Sequence, residues 1–228
     1  MLTRKLVAAG LLLGSVFVGL ASSAPASAGT IYDDGATNGT SNGFFIDGPN
    51  SGGPYSQSIY DTFTATGSGI LGELDVGLWV PTGSTPTTFT WWLGSGWLDN
   101  SIGGGTAALT AANYTFHNAS GIGFDVYDVK LTGLSSSPIS AGTSYVLTLG
   151  NANDSLGDQS VAWDNNNGPA SCGFAQGNTD VGNCGASGEA FTLISNSVNP
   201  VPEPSTFALF GAGLLGLGAL RRRRKAKA

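Results

Sequence analysis

The sequence predicts an all-β fold, an antiparallel β-sandwich of jelly-roll type, for residues 29–200 of the 228-residue chain. Short runs rich in β-branched and aromatic residues alternate there with turn clusters such as Asn38-Gly39 and Gly103-Gly104-Gly105. Many short strands at such spacing are typical of a sandwich or barrel, and this region has no helical period of apolar residues. All five tryptophans, all six tyrosines and eight of the eleven phenylalanines lie in it, which indicates a packed core.

Alternation along three segments assigns side chains to the two faces of their strands. In residues 70–80 the predicted core face carries Ile70, Leu74, Val76, Leu78 and Val80. The opposite face carries Glu73, Asp75, Gly77 and Trp79. In residues 88–93 the core face carries Phe89, Trp91 and Leu93, and the opposite face carries Thr88, Thr90 and Trp92. A third core-facing set consists of Tyr145, Leu147 and Leu149.

Residues 122–131 break this alternation. Their apolar residues stand at even positions up to Val126 and at odd positions from Val129 onwards. One extra residue in a strand produces such a change of parity, so we predict a β-bulge near Tyr127 and Asp128.

The central region is strongly acidic. It contains fourteen acidic residues and one basic residue, Lys130, so its formal charge is −13, whereas the whole chain carries −6. A surface of that charge repels phosphate backbones and anionic lipid headgroups. The sequence therefore excludes nucleic acid as a partner.

Residues 1–28 have the anatomy of a secretory signal peptide. Arg4 and Lys5 precede an apolar run from Leu6 to Ala21, and Ala26-Ser27-Ala28 is a small-residue cleavage site. We therefore expect export through the Sec translocon and cleavage by signal peptidase. An uncleaved membrane anchor is the alternative.

Residues 201–228 form a second targeting segment with three parts. Val201-Pro202-Glu203-Pro204 comes first, and its two prolines favour an extended backbone around Glu203. Residues 205–220 are uncharged and mostly apolar, and we expect them to form a single short transmembrane helix. The basic run Arg221–Lys225 is expected to stay in the cytoplasm, which leaves the bulk of the protein outside.

This arrangement resembles the PEP-CTERM sorting signal, in which a V-P-E-P motif, an apolar helix and an arginine-rich end follow one another. The resemblance implies a partner, exosortase, a membrane-embedded cysteine transpeptidase-like enzyme of bacteria that make extracellular polysaccharide. It also implies that the motif is recognised and processed, so that the protein is tethered in the inner membrane and then reaches the cell surface or extracellular matrix. The residues so implied are Val201, Pro202, Glu203 and Pro204.

Three short motifs of the central region resemble a recurrent group of exported bacterial proteins that open with I-Y-D-N-G-like sequences and often carry this tag. They are Ile31-Tyr32-Asp33-Asp34-Gly35 with Asn38-Gly39, Asp61-Thr62-Phe63-Thr64, and Gly188-Glu189-Ala190-Phe191-Thr192. This resemblance implies an architecture and no particular activity.

Cys172 and Cys184 are the only cysteines of the chain. An even pair at close spacing in an exported protein predicts a disulfide bond. Two free thiols are the alternative, and without neighbouring histidines the pair makes a poor metal site.

The residues for catalysis are incomplete. His117 is the only histidine, so a Ser-His-Asp arrangement would depend on it, and an ordinary surface position is the expected alternative. Glu73 and Asp75 share a strand face and resemble the start of the E-x-D-x-x-E signature of jelly-roll β-glucan hydrolases, but its third acid is replaced by Leu78. We therefore predict no catalytic residue, and a glycoside hydrolase acting through another acid pair is the weakest alternative.

Several loops carry oxygen ligands of the kind that calcium prefers. They are Asn153-Asp154-Ser155 with Asp158, Asp164-Asn165-Asn166, and the pair Asp33 and Asp34. No EF-hand spacing fits, because Gly168 occupies the third ligand position counted from Asp164. Turn chemistry explains these side chains better, so we predict no cofactor and no dedicated metal site, with calcium as an unspecific option.

Trp79 and Trp92 lie opposite the core-facing residues of their strands, and exposed aromatic rings stack on sugar rings. They are candidate contacts for an extracellular polysaccharide, and burial on a covered second face is the alternative. The sequence as a whole predicts a non-enzymatic surface or matrix protein sorted by exosortase. A polysaccharide-binding module is the main alternative.

Overall fold

A computed structural model of the chain describes residues 28–40, 42–47, 57–157, 160–177 and 179–196. These residues form twelve strands and no helix, and every strand pairing is antiparallel, which confirms the predicted all-β class. The strands are β1 (Thr30–Asp33), β2 (Asn42–Phe45), β3 (Gln57–Thr64), β4 (Leu71–Pro81), β5 (Pro86–Gly94), β6 (Gly103–Ala108), β7 (Tyr114–Ala119), β8 (Phe124–Thr132), β9 (Ser144–Asp154), β10 (Ala162–Gln176), β11 (Thr179–Glu189) and β12 (Phe191–Ser195).

The two predicted targeting segments lie outside this region. The signal peptide of residues 1–28 ends where the described residues begin, and the sorting segment of residues 201–228 follows them. Among the described residues, none belongs to a helix with the length and hydropathy needed to cross a membrane.

Hydrogen bonding joins the strands into one continuous sheet that folds into two layers. The first layer has the order β7-β8-β4-β12-β1, and the second has the order β6-β5-β9-β3-β10, with β11 beyond β10. β10 belongs to both layers, because its first residues pair with β2 and β4 whereas residues 171–176 pair with β3. The crossing strand therefore brings side chains from both layers to one place.

The core lies between the layers, where alternation along the strands directs the apolar side chains. The predicted core faces of β4, β5 and β9 are confirmed, because their apolar members are buried in one cluster. Tyr32, Phe63 and Phe191 join this cluster from β1, β3 and β12, with ring centroids 4.6 to 5.5 Å apart. These rings tie the first strand of the domain to the last.

Ile70 is an exception to the predicted core face of β4. It is 40% exposed, because the strand begins only at Leu71, which is fully buried instead. The pairing of β4 with β12 shifts register between Leu71 and Glu73, and this shift changes which residue faces inward at the start of the strand.

The predicted bulge near Tyr127 and Asp128 is wrong. Residues 73–81 of β4 pair with residues 124–132 of β8 without interruption. The irregularity lies in the neighbouring strand β7 at His117, where its pairing with β8 shifts.

The change of parity along β8 has a different cause. Val126 and Phe124 pack on the outer face of the first layer, in a small second cluster with Trp79 and Ala162. Val129 and Leu131 face the main core. β8 thus has apolar residues on both faces, so its pattern changes although its ladder with β4 is regular.

Replacing Leu78 with alanine should lower the free energy of unfolding by about 2–5 kcal/mol, because it leaves a cavity in the centre of the main core. Urea denaturation of the full-length protein in detergent micelles measures the change. Leu156→Ala is the matched control, since Leu156 is 70% exposed and its truncation should have little effect. Equal losses in the two variants would contradict the position of the core.

Candidate functional site

The two cysteines form the predicted disulfide bond. Cys172 on β10 and Cys184 on β11 are bonded, with their Cα atoms 5.5 Å apart. Cys172 is buried in the main core, and Cys184 packs against that core. The pairing of β10 with β11 contains several register shifts, so the bond fastens an irregular pair of strands to the core.

Trp79, one of the two candidate sugar contacts, is buried. It is 3% exposed and packs with Val126 and Ala162 on the outer face of the first layer. Its indole N–H donates a hydrogen bond to Asp164 Oδ1. Phe45 of β2 covers that part of the face, so Trp79 follows the buried alternative.

Trp92 is partly exposed on the outer face of the second layer. Trp92 stands in register with Thr148 of β9, and Thr148 stands in register with Tyr60 of β3. We call these three residues the aromatic row, after the rings at its two ends. A Cβ at Gly150 would lie 3.3 Å from the Trp92 ring, and one at Gly173 would collide with the Tyr60 ring. Both rings therefore lie across neighbouring strands, and their Cα atoms are two strand spacings, roughly 10 Å, apart.

The loop after β5 covers the middle of the aromatic row. The backbone N–H of Leu98 donates to Thr148 Oγ1 at 3.3 Å, and Thr148 is fully buried. Asp99 fixes this loop by accepting hydrogen bonds from the N–H groups of Ser95 and Ser101, which lower the pKa of its carboxyl to about 2. The two rings thus flank a loop that its own hydrogen bonds hold in place.

The only lysine of the central region and the only histidine of the chain lie on the outer face of the first layer. Lys130 Nζ lies 2.6 Å from Glu73 Oε1 and 3.3 Å from Asp75 Oδ2. His117 Nδ1 lies 3.0 Å from Asp128 Oδ2 at the surface. An open groove of about 310 Å³, which we call the lysine groove, adjoins these pairs. Its polar lining includes Thr37, Asp75, Asn113, Thr115, Asp128, Lys130 and Thr192.

Glu73 and Asp75, the two acids of the hydrolase-like motif, are both bonded to Lys130 beside the lysine groove. Burial raises the pKa of Asp75 and Lys130 opposes that shift, while the hydrogen bond to Glu73 raises the pKa of Lys130. The two carboxyl groups therefore share one ammonium group rather than standing on either side of a sugar. Leu78, where the hydrolase signature has its third acid, is buried in the main core.

The Asx-rich loops use their carboxylates to accept hydrogen bonds from the protein itself. Asp154 accepts a hydrogen bond from the Ser84 hydroxyl at 2.6 Å. Asp164 accepts hydrogen bonds from the N–H groups of Asn38 and Gly39 at 2.8 and 3.2 Å. Asp158 lies outside the described residues. Within the described ranges, no three His, Cys, Asp or Glu side chains are grouped so that they could hold a metal ion.

A group of buried acids lies where the three short motifs of the central region meet. Asp34 follows β1, Asp61 lies on β3 and Glu189 ends β11, and each is at most 2% exposed. We call these three residues the carboxyl cluster. Sequence reasoning named the motifs but assigned them no site. The available signal was an acid two positions from an aromatic residue in each motif: Asp34 after Tyr32, Asp61 before Phe63 and Glu189 before Phe191.

Each carboxyl of this cluster has a buried oxygen without a hydrogen-bond partner among the described residues: Asp34 Oδ2, Asp61 Oδ1 and Glu189 Oε2. Asp34 Oδ1 accepts the Tyr32 hydroxyl at 2.8 Å and the Ala170 N–H at 2.7 Å. Asp61 Oδ2 accepts the Glu189 N–H at 2.6 Å. Burial raises the pKa of Asp61 to about 7, and burial together with the charge of Asp61 raises the pKa of Glu189.

Comparison with known proteins identifies the C-terminal segment. Residues 200–224 match the family model of the PEP-CTERM protein-sorting motif, which confirms the resemblance of that segment. The motif marks an exported protein that is anchored through its C-terminus. The resemblance of the central motifs stays a prediction. A search of curated proteins finds no match, and a search of solved structures finds none either.

Replacing Cys172 and Cys184 together with alanine should lower the free energy of unfolding by about 3 kcal/mol, because the open chain gains conformational entropy when unfolded. Urea denaturation with and without dithiothreitol measures this. Reduction should lower the free energy of unfolding of the wild type by the same amount, and the variant should not respond to the reductant. A wild type that is indifferent to reduction would contradict a stabilising disulfide.

Proposed function

We propose that this chain is a non-enzymatic cell-surface or extracellular-matrix protein that exosortase recognises and processes through its C-terminal segment. The observation that carries the proposal is the match of residues 200–224 to the sorting-motif family. In this proposal Val201–Pro204 are the processing site, residues 205–220 are a temporary tether in the inner membrane, and Arg221–Lys225 stay in the cytoplasm. The β-domain is the cargo.

The properties of the β-domain support a location outside the cytoplasm. Its disulfide bond is of a kind that persists in oxidising compartments. A formal charge of −13 over residues 29–200 favours solubility and opposes association with anionic lipid headgroups. A domain of this composition is suited to remain folded and dispersed at a cell surface.

The partners of the residues that could have served in catalysis favour a non-enzymatic role. His117 is paired with Asp128, and no Ser, Thr or Cys side chain hydrogen-bonds to His117 within that region. Glu73 and Asp75 are both bonded to Lys130. Neither set supplies the nucleophile with an adjacent base, or the separated acid pair, that hydrolysis requires.

Replacing Pro202, Glu203 and Pro204 with alanine should abolish C-terminal processing, because it removes the motif while keeping the apolar stretch and the basic end. In a bacterium that carries exosortase, mass spectrometry of the wild-type protein should find a C-terminus that lacks Arg221–Lys225. The variant should keep those residues and accumulate in the inner membrane. In a strain without exosortase the wild type should behave like the variant.

Ser205→Ala is the matched control for this experiment, because it changes a neighbouring residue outside the V-P-E-P motif and should leave processing unchanged. The proposal would be wrong if the wild-type protein kept Arg221–Lys225 in the presence of exosortase. It would also be wrong if the motif variant were trimmed and released like the wild type.

The aromatic row favours a second candidate function, the binding of extracellular polysaccharide. Tyr60 and Trp92 are both partly exposed on one outer face, and each ring lies across a glycine of the neighbouring strand. A ring that lies flat on a sheet offers its other side to solvent, and that side suits stacking on a sugar. Since the domain is strongly acidic, we expect the ligand to be a neutral polysaccharide rather than a polyanion.

Replacing Trp92 with alanine should weaken binding to a neutral bacterial polysaccharide by at least about tenfold, a loss of about 1.4 kcal/mol. Titration of the full-length protein in detergent micelles against neutral and anionic polysaccharides measures the affinity. Phe116→Ala is the control, because this aromatic side chain is 54% exposed but lies on β7 of the other layer. Absence of binding by the wild type, or equal binding by both variants, would contradict this function.

A further inference from the structure

The carboxyl cluster lies beyond the reach of any cationic side chain in the described region. That region contains two basic side chains, Lys130 and His117, and both lie on the outer face of the first layer with acidic partners of their own. Transfer of an ionised carboxylate into a protein interior without a counter-charge costs several kcal/mol. The charge of Asp34, Asp61 and Glu189 must therefore be compensated by hydrogen bonds, by protons or by a bound ion.

The hydrogen bonds distinguish the three acids. Asp34 accepts two short bonds, whereas Asp61 accepts one, from the backbone N–H of Glu189. The Glu189 carboxyl has a single amide donor, Asn165 Nδ2, at the long distance of 3.4 Å. The Cys172 sulfur also lies 3.4 Å from Glu189 Oε1, but a disulfide sulfur has no hydrogen to donate. Glu189 is thus the acid whose ionised form is stabilised least.

The acidic groups around the cluster act in one direction. Asp61, Asp164 and Asp34 all raise the pKa of Glu189, and Asp34 raises that of Asp61. The pKa of Tyr32 is raised by burial and by its hydrogen bond to Asp34. That bond lowers the pKa of Asp34, whereas the exposed Asp33 raises it. His117 acts only on Asp164 among these groups. Acids with no cation among them are expected to retain protons.

We propose that Asp61 and Glu189 are proton-binding groups that take up protons on folding below neutral pH, where the end of β11 meets Asp61 of β3. The geometry that carries this is the complete burial of both side chains, the unpartnered oxygen on each, and the hydrogen bond from Glu189 N–H to Asp61. Loss of either proton places a charge where Glu189, at the end of β11, meets Asp61 of β3, which weakens this contact.

The pH dependence has a defined sign. An acid whose pKa is raised on folding stabilises the folded state most below its ordinary pKa, and this stabilisation is lost as the pH rises through the raised value. Burial raises the pKa of Asp61 to about 7, and the pKa of Glu189 is shifted in the same direction. Stability should therefore fall from pH 5 towards pH 7 and above.

A divalent cation is the competing explanation. It would require acidic side chains grouped around one point, and the described residues contain no such group of three. Protons need no common centre, because each carboxyl binds its own. The arrangement of Asp34, Asp61 and Glu189 therefore favours protons over calcium.

Urea denaturation of the full-length protein in detergent micelles between pH 5 and pH 9, with EDTA or with calcium, tests the proposal. For the wild type in EDTA the unfolding equilibrium constant should rise with pH, by up to about tenfold per pH unit for each proton released. Glu189→Gln and Asp61→Asn should each reduce this slope, because an amide resembles the protonated acid and cannot ionise. Asp33→Asn is the matched control, since Asp33 is exposed beside the cluster and its variant should keep the wild-type slope.

Infrared spectroscopy of the folded wild type at pH 7 gives a readout that does not depend on the variants. A protonated carboxyl has its own carbonyl band, which should be present in the folded protein and absent after unfolding at the same pH. Absence of this band would overturn the proposal, as would a pH slope that is unchanged in both amide variants. Calcium that raised the urea midpoint and removed the band would overturn it in favour of a cation site.

Discussion

The neutralisation of buried carboxyl groups is the physical constraint on which this fold depends. Six acidic side chains of the described region are buried in a domain whose only lysine is bonded to acids at the surface. Their oxygen atoms accept N–H groups from distant parts of the chain: Glu189 and Asp61 are 128 residues apart, and Ala170 and Asp34 are 136 apart. The same side chains that are costly to bury thus join segments that no local structure would hold together.

These bonds lie where the two layers of the sandwich meet. β10 pairs with the first layer near Asp164 and with the second layer around Cys172, and the disulfide bond fixes β11 beside it. Tyr32, Phe63 and Phe191 pack next to the acids and close the domain by joining its first and last strands. A long strand that crosses between layers needs such anchoring, because its two halves belong to different ladders.

The two outer faces of the sandwich differ in chemistry, which bears on what each can bind. The face of the first layer carries Lys130 and His117, and each is already bonded to neighbouring acids. The face of the second layer carries Tyr60 and Trp92 beside glycines that leave room for flat rings. The polysaccharide binding that we propose therefore belongs to the second face, while the sorting segment marks the domain for export and for membrane anchoring at its C-terminus.

The sequence by itself determined the all-β class, the core faces of β4, β5 and β9, the disulfide bond and the sorting segment, because each follows from local alternation, residue type or a contiguous motif. It misassigned the parity change in β8 and left the exposure of Trp79 open, since alternation shows that the two faces of a strand differ and not whether the second face is covered. Only the tertiary structure brought Asp34, Asp61 and Glu189 together. Their contact depends on strand order and on a strand shared by two layers, which no segment of the chain encodes locally.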